Sequence, residues 1–197
     1  PGDERVVYAL AARLLRQLPR EALDSLDGAV RAELARLLPE FGAAAPIESD
    51  AGRARFFNAV AAALAAATAR TAGIVVEDLH FADEASVELL RYVAGDGSMR
   101  WVFTARAAET APASRALMED VTRAHGTRIE LLPLSVQQLA ELVDSVGIEA
   151  LDGPRLAPAL LERTGGNPLF ALETLKAWLT QGGADAAPWL PAVPGVG

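Results

Sequence analysis

The chain has 197 residues, 51% of them hydrophobic, a formal net charge of −8 and no cysteine. That length and apolar content suffice for one good core, or one core with a small satellite domain. The acidic balance leaves no basis for general attraction to a nucleic-acid backbone. The lack of thiols excludes disulfides, thiolate metal sites and cysteine nucleophiles, which fits a reducing compartment.

No apolar run approaches the roughly 18 residues of a membrane span. The longest alanine-rich stretch, Ala59 to Ala69, is short and weakly hydrophobic. The opening "PGDER" lacks the basic-then-apolar pattern of a signal peptide. A soluble, cytoplasmic protein with no membrane partner is the expectation.

The first third reads as helix. In "ERVVYALAARLLRQLPREAL", Val7, Leu10, Leu14, Leu15 and Leu18 recur at three- and four-residue spacings, Arg13 and Arg16 lie opposite, and Pro19 breaks the pattern. "GAVRAELARLLPEF" places Val30, Leu34, Leu37 and Leu38 on one face and stops at Pro39. A loop, "GAAAPIESDAGRA", precedes a third helix from Arg55 to Arg70, whose alanines predict close packing against a sheet.

"GIVVED" is a short continuous apolar run, which predicts a parallel strand buried on both faces, and the helix "DEASVELLRYVAG" follows with Asp83 as its N-cap. "RWVFTAR", Arg100 to Arg106, predicts a second strand, "SRALMEDVTRAHG" a helix, and "RIELLPL" from Arg128 a third strand. This alternation argues an α/β parallel sheet with flanking helices. From Ser135 the pattern is helical alone. "SVQQLAELVDSVG" opens with a capping box, Ser135 with Gln138, and ends at Gly147. Two further helices hinge at Gly165 and Gly166, the second starting at Pro168. The expected organisation is an α/β core over residues 1–134, a small helical lid over 135–182 and a linker over 183–197.

Chemistry is concentrated at the end of the first strand. Ligands of open parallel sheets bind beyond the carboxyl ends of the strands, where carboxylates such as Glu77 and Asp78 can hold Mg²⁺. An apolar run followed by two acids has the form of a Walker B element, in which one acid holds Mg²⁺ and the other orients the attacking water. The alternative is that both acids simply leave the core and cap the following turn. His80 reads either as a contact to the phosphate end of such a site or as a local hydrogen-bonding residue. His125 near a helix C-terminus, Ser86, Ser114, Trp178 and Trp189 carry no pattern of catalysis. There is no Gly-x-Ser-x-Gly elbow and no metalloprotease helix.

"IVVEDLHFADEASVELLRYV" resembles the Walker B region of the STAND class of P-loop NTPases, the AAA-type ATPase domain of large ATP-dependent transcriptional regulators of the LuxR and maltose-regulator kind. "RWVFTAR" is similar to the next strand of that class, with Arg106 at its sensor-arginine position. "RIELLPLSVQQLAELV" resembles the approach to the lid, and "RTGGNPLFALETL" its Gly-Asn-Pro motif. The resemblance covers roughly Arg5 to Gly182. It implies Glu77 and Asp78 as metal-holding and catalytic acids and Arg106 as a sensor. It also implies that His80, Gly166, Asn167 and Pro168 contact the nucleotide, with ATP and Mg²⁺ as cofactors in the intact protein. DNA would be reached only through another domain.

Two departures matter. No Gly-x-x-x-x-Gly-Lys-Ser/Thr loop is present, and the single lysine, Lys176, lies in the last predicted helix. Without that loop there is no backbone cradle for the phosphates. The expectation is therefore a fragment that begins after the P-loop and neither binds ATP tightly nor hydrolyses it. Its exposed apolar sheet edge would favour a homo-oligomer. Glu77 also stands where the class has aspartate, one methylene longer toward a cation that demands near-ideal geometry. The rival reading is a non-catalytic α/β scaffold that presents its helical lid to a protein partner.

Overall fold

The structure is a computed structural model that describes residues 7–180 apart from 70, 71, 96, 98, 125, 149 and 150. The start of the first predicted helix, His125, Trp189 and the predicted linker lie outside the described residues. The chain divides into two compact units, Pro1–Arg128 and Ile129–Gly197.

In the first unit the leading helical pattern resolves into α1 (Ala9–Arg16), α2 (Arg20–Asp24) and α3 (Gly28–Leu34). Pro19 ends the first periodic run as expected, but it also serves as the N-cap residue of α2. Asp27 caps α3, its side chain accepting from the Val30 N–H. Pro39–Phe41 forms a 3₁₀ turn. Helix α4 (Asp50–Thr68) starts five residues before the predicted Arg55, because the Ser49 hydroxyl accepts from the Gly52 N–H and Asp50 complements the helix dipole.

The alanines of α4 do permit close packing, yet the principal neighbours are helices α1, α2 and α3 and the later α5 (Glu84–Ala94), not a sheet. Phe56, Phe57, Val60, Ala63 and Leu64 are buried along it. Tyr8 meets the Phe56 ring edge-on with centroids 5.2 Å apart, and Tyr92 of α5 donates its hydroxyl to Asn58 at 2.6 Å.

Strands β1 (Ile74–Val76) and β2 (Trp101–Phe103) pair in parallel, Ile74 opposite Trp101 and Val76 opposite Phe103, with α5 as the crossover. This is the α/β arrangement expected from the sequence. Burial departs from the expectation: Ile74 and Val76 are buried, whereas Val75 is 60% and Val102 55% exposed. One face of the pair lies on the core and the other is open. Trp101 and Phe103 stack at 5.6 Å on the partly covered side. Helix α6 (Pro112–Arg123) begins two residues before the predicted Ser114, with its proline in the first turn.

The third strand predicted from Arg128 to Leu134 does not form. The segment has no regular secondary structure and no strand partner among the described residues, with Ile129, Leu131 and Leu132 each more than 70% exposed. Apolar side chains give a segment strand character, but a strand exists only where an edge receives its backbone groups. Within the second unit the end of this segment is instead fixed by the Leu134 N–H, which donates to the Gly166 carbonyl at 2.8 Å.

The second unit packs α7 (Val136–Ser145), α8 (Gly153–Thr164) and α9 (Pro168–Thr180) around Leu139, Val143, Leu156, Leu160, Leu175 and Trp178. Both halves of the predicted capping box are present: Gln138 N–H reaches Ser135 Oγ, and Ser135 N–H reaches Gln138 Oε1. Trp178 is buried, as its apolar surroundings in the sequence suggest.

Candidate functional site at the carboxyl ends of the strands

The apolar side chains of β1 anchor Ile74 and Val76 in the core, so the next residues, Glu77 and Asp78, emerge at the carboxyl end of the strand, both exposed. The end of β2 fixes the turn. Thr104 N–H donates to the Val76 carbonyl at 3.0 Å, Leu79 N–H to the Thr104 carbonyl at 2.8 Å, and Asp78 N–H to Thr104 Oγ1 at 3.1 Å. Asp78 adopts a left-handed backbone, φ +54° and ψ +45°, which short polar residues tolerate better than others do. A 3₁₀ turn, Leu79–Phe81, follows. Leu79 is fully buried, and its carbonyl accepts from the buried Ser114 hydroxyl at 3.3 Å.

Neither the Glu77 nor the Asp78 carboxylate has a hydrogen-bond or ion-pair partner among the described residues. Asp83, five residues beyond Asp78, does the capping: it accepts from Ser86 N–H at the start of α5. Two free, hard oxygen donors at a strand end suit a cation that takes its remaining ligands from phosphate and water. Among the described residues no group of three or more His, Cys, Asp or Glu is arranged to hold a metal ion by itself. At this point the chain presents two carboxylates on a turn braced by Thr104.

His80 is buried, its side chain only 1% exposed, and joins the two strand ends: its Nδ1 accepts from the Arg106 backbone N–H at 3.3 Å. Its ring lies 4.2 Å, centroid to centroid, from that of Phe81. The Arg106 side chain is two-thirds exposed and pairs with Glu109 Oε1 at 3.1 Å. The Arg106 carbonyl accepts from the Thr110 hydroxyl at 2.6 Å. Glu77, Asp78, His80 and Arg106 therefore belong to one braced pair of strand ends. Thr104 and Glu109 have no role in the sequence pattern, and Ser114, which carries no pattern of catalysis, gains a structural one through the Leu79 carbonyl; only the position of Thr104, one residue past the second apolar run, hints at its role.

Gly166, Asn167 and Pro168 lie in the second unit, where each has a local structural role. Gly165 ends α8 in a left-handed conformation, and Gly166 follows with φ +78°. Asn167 Oδ1 accepts from the N–H groups of Leu169 and Phe170 at 3.0 and 3.3 Å, so it caps α9, and Pro168 opens that helix. An open depression of about 650 Å³ lies elsewhere on the first unit, lined by Asp83, Glu84, Glu88 and Arg91 among others, and includes none of the acids at the strand end.

No helix among the described residues is long and apolar enough to cross a membrane. No curated protein and no solved structure matches the chain. A family model described as the AAA ATPase domain matches residues 3–105, which takes in α1 to α5 and both paired strands. With just over half of the chain matched, and with two acids delivered by a parallel strand at its carboxyl end, the chain belongs to the AAA ATPase domain family.

Proposed function

We propose that the chain is part of the ATP-binding switch of a STAND-type transcriptional regulator, with Glu77 and Asp78 as its Walker B acids and Arg106 as its sensor. The observation that carries this reading is the pair of unpartnered carboxylates held at the end of β1 by Thr104. In this reading Mg²⁺ is held at Glu77 and Asp78, and Arg106 answers the charge of the phosphates. The helical second unit, with its turn at Gly166, Asn167 and Pro168, is the counterpart of that class's lid in this reading. An effector domain elsewhere in the parent protein would contact DNA.

The missing phosphate loop sets the test. Calorimetry with Mg·ATP would compare this chain with a version extended upstream in its own reading frame through a glycine-rich lysine loop. Binding by the extended version alone supports the switch. A second reading, a non-catalytic scaffold that docks a protein partner through the helical unit, is favoured by the exposure of Leu169 and Phe170 beside the Asn167 cap. Failure of both versions to bind would favour the scaffold.

A further inference from the structure

Arg106, Glu109 and His80 form a connected set behind the acids. The turn Ala107–Glu109, closed by the Glu109 N–H donating to the Arg106 carbonyl at 3.0 Å, folds the Glu109 carboxylate back beside both partners. Glu109 Oε1 takes the Arg106 guanidinium at 3.1 Å, while Oε2 stands 3.7 Å from His80 Nε2, too far for a hydrogen bond. With Nδ1 accepting from the Arg106 backbone, the neutral His80 ring carries its hydrogen on Nε2. That buried N–H has no partner among the described residues. A buried donor left unmade is costly, whereas an ion pair between half-exposed side chains is weak because water screens it.

We propose that Glu109 is a positioning residue exchanged between Arg106 and His80. While the guanidinium occupies one carboxylate oxygen, the other falls short of His80. When an anion draws Arg106 away, the freed carboxylate closes onto His80 Nε2–H and satisfies it. Arg106 then exchanges one anion for another, and the buried histidine offsets part of the cost of its departure. The ring also holds the turn that carries Glu77 and Asp78, so the position of Arg106 is registered at the acids. The exchange rests on the nucleotide reading only for the identity of the anion.

The chain has two histidines, His80 and His125, so imidazole NMR signals are few and a His80→Gln variant assigns them. In Arg106→Ala the backbone N–H that holds Nδ1 remains, and the His80 Hε2 signal should move downfield and exchange more slowly with solvent. In Arg106→Ala combined with Glu109→Ala that shift should be absent. Both side chains are on the surface, and Arg106→Gln serves as a second variant should alanine disturb the turn. An unchanged His80 signal in the Arg106 variants, or the same shift in the double variant, overturns the exchange. Mg·ATP added to the unmodified chain and to its upstream-extended version tests the anion separately. A downfield shift of Hε2 supports both readings. A shift in Arg106→Ala with no response to Mg·ATP in either version leaves the exchange standing and overturns the nucleotide reading.

Discussion

Tyr8 and Asp83 stand 75 residues apart and are joined by a 2.8 Å hydrogen bond from the Tyr8 backbone N–H to Asp83 Oδ1. The same carboxylate accepts from the Leu10 N–H at 3.3 Å and from the Ser86 N–H at 2.9 Å, so one buried acid caps both α1 and α5. Ser86 adds a bond of its own, accepting from the Ala11 N–H at 3.1 Å. Helix α1 has no cap from its own N-cap residue, Tyr8, which is forced into a left-handed conformation with φ +60°. The first helix is therefore held from the turn that follows the candidate acids.

Asp83→Ala should destabilise the first unit by about 2–4 kcal/mol, since it removes two caps and strands the buried Ser86 N–H and the part-buried N–H groups of Tyr8 and Leu10. Ser86→Ala, which orphans only the Ala11 N–H, should cost about 1–2 kcal/mol. Urea unfolding measures both. A change within roughly 0.5 kcal/mol for Asp83→Ala would place it among ordinary surface substitutions and contradict the shared cap.

Gly166→Ala should destabilise the second unit by about 1–3 kcal/mol. Its φ of +78° disfavours any side chain, and an added Cβ would lie 2.5 Å from the Leu134 carbonyl oxygen and 2.9 Å from the Leu134 nitrogen. Gly28→Ala is the matched control, because nothing lies within 4 Å of an added Cβ there. Equal melting temperatures for the two variants would refute the close approach of Leu134 to this turn.

Leu131→Lys should leave stability within about 0.5 kcal/mol of the unmodified chain, because Leu131 is 91% exposed. A loss of 2 kcal/mol or more, roughly the cost of disrupting a buried leucine, would show that this segment is covered after all.

That segment marks the boundary of what sequence reading can reach. Asp83 as a cap, the Ser135–Gln138 box and the helix start at Pro168 were legible because each is a contact within three or four residues. β1 was legible because Ile74, Val75 and Val76 are β-branched and bounded by glycine and acids. Whether Val75 would be covered, whether "RIELLPL" would find an edge, and which element would receive the alanines of α4 all depend on partners distant in sequence. Periodicity is silent about those. The same holds at the candidate site: Glu77 and Asp78 could be read as strand-end acids, but Thr104 and Glu109 gain their roles only when β2 lies beside β1.

Asp120 links α6 to α5 and supplies a pH dependence. Hydrogen bonds from Arg91 and then Arg123 hold its carboxyl below the ordinary carboxylate range. A folded-state value below the unfolded one means that the contribution is present above the unfolded value and is lost as pH falls through the folded value. Asp120→Asn should therefore be slightly less stable than the unmodified chain at pH 7. The two should converge in acid, and added salt should narrow the gap at pH 7. Urea midpoints that differ as much at pH 2.5 as at pH 7 would assign the effect to packing instead.

Asp78 separates stability from function, because its left-handed backbone constrains which substitutions are neutral. Asparagine tolerates this conformation almost as well as aspartate, whereas alanine should cost about 1–2 kcal/mol. The carboxylate itself has no partner among the described residues, so replacing its charge forfeits no native contact. Asp78→Asn should accordingly unfold at the same urea concentration as the unmodified chain. If the acid serves a metal, Asp78→Asn should also abolish the Mg²⁺ dependence of ATP affinity in whichever length of the protein binds ATP. Glu77→Gln, equally exposed, should behave likewise. A variant that keeps its fold and its Mg²⁺ dependence would remove that acid from the metal site, and loss of stability in Asp78→Asn would instead assign the carboxylate to holding the turn.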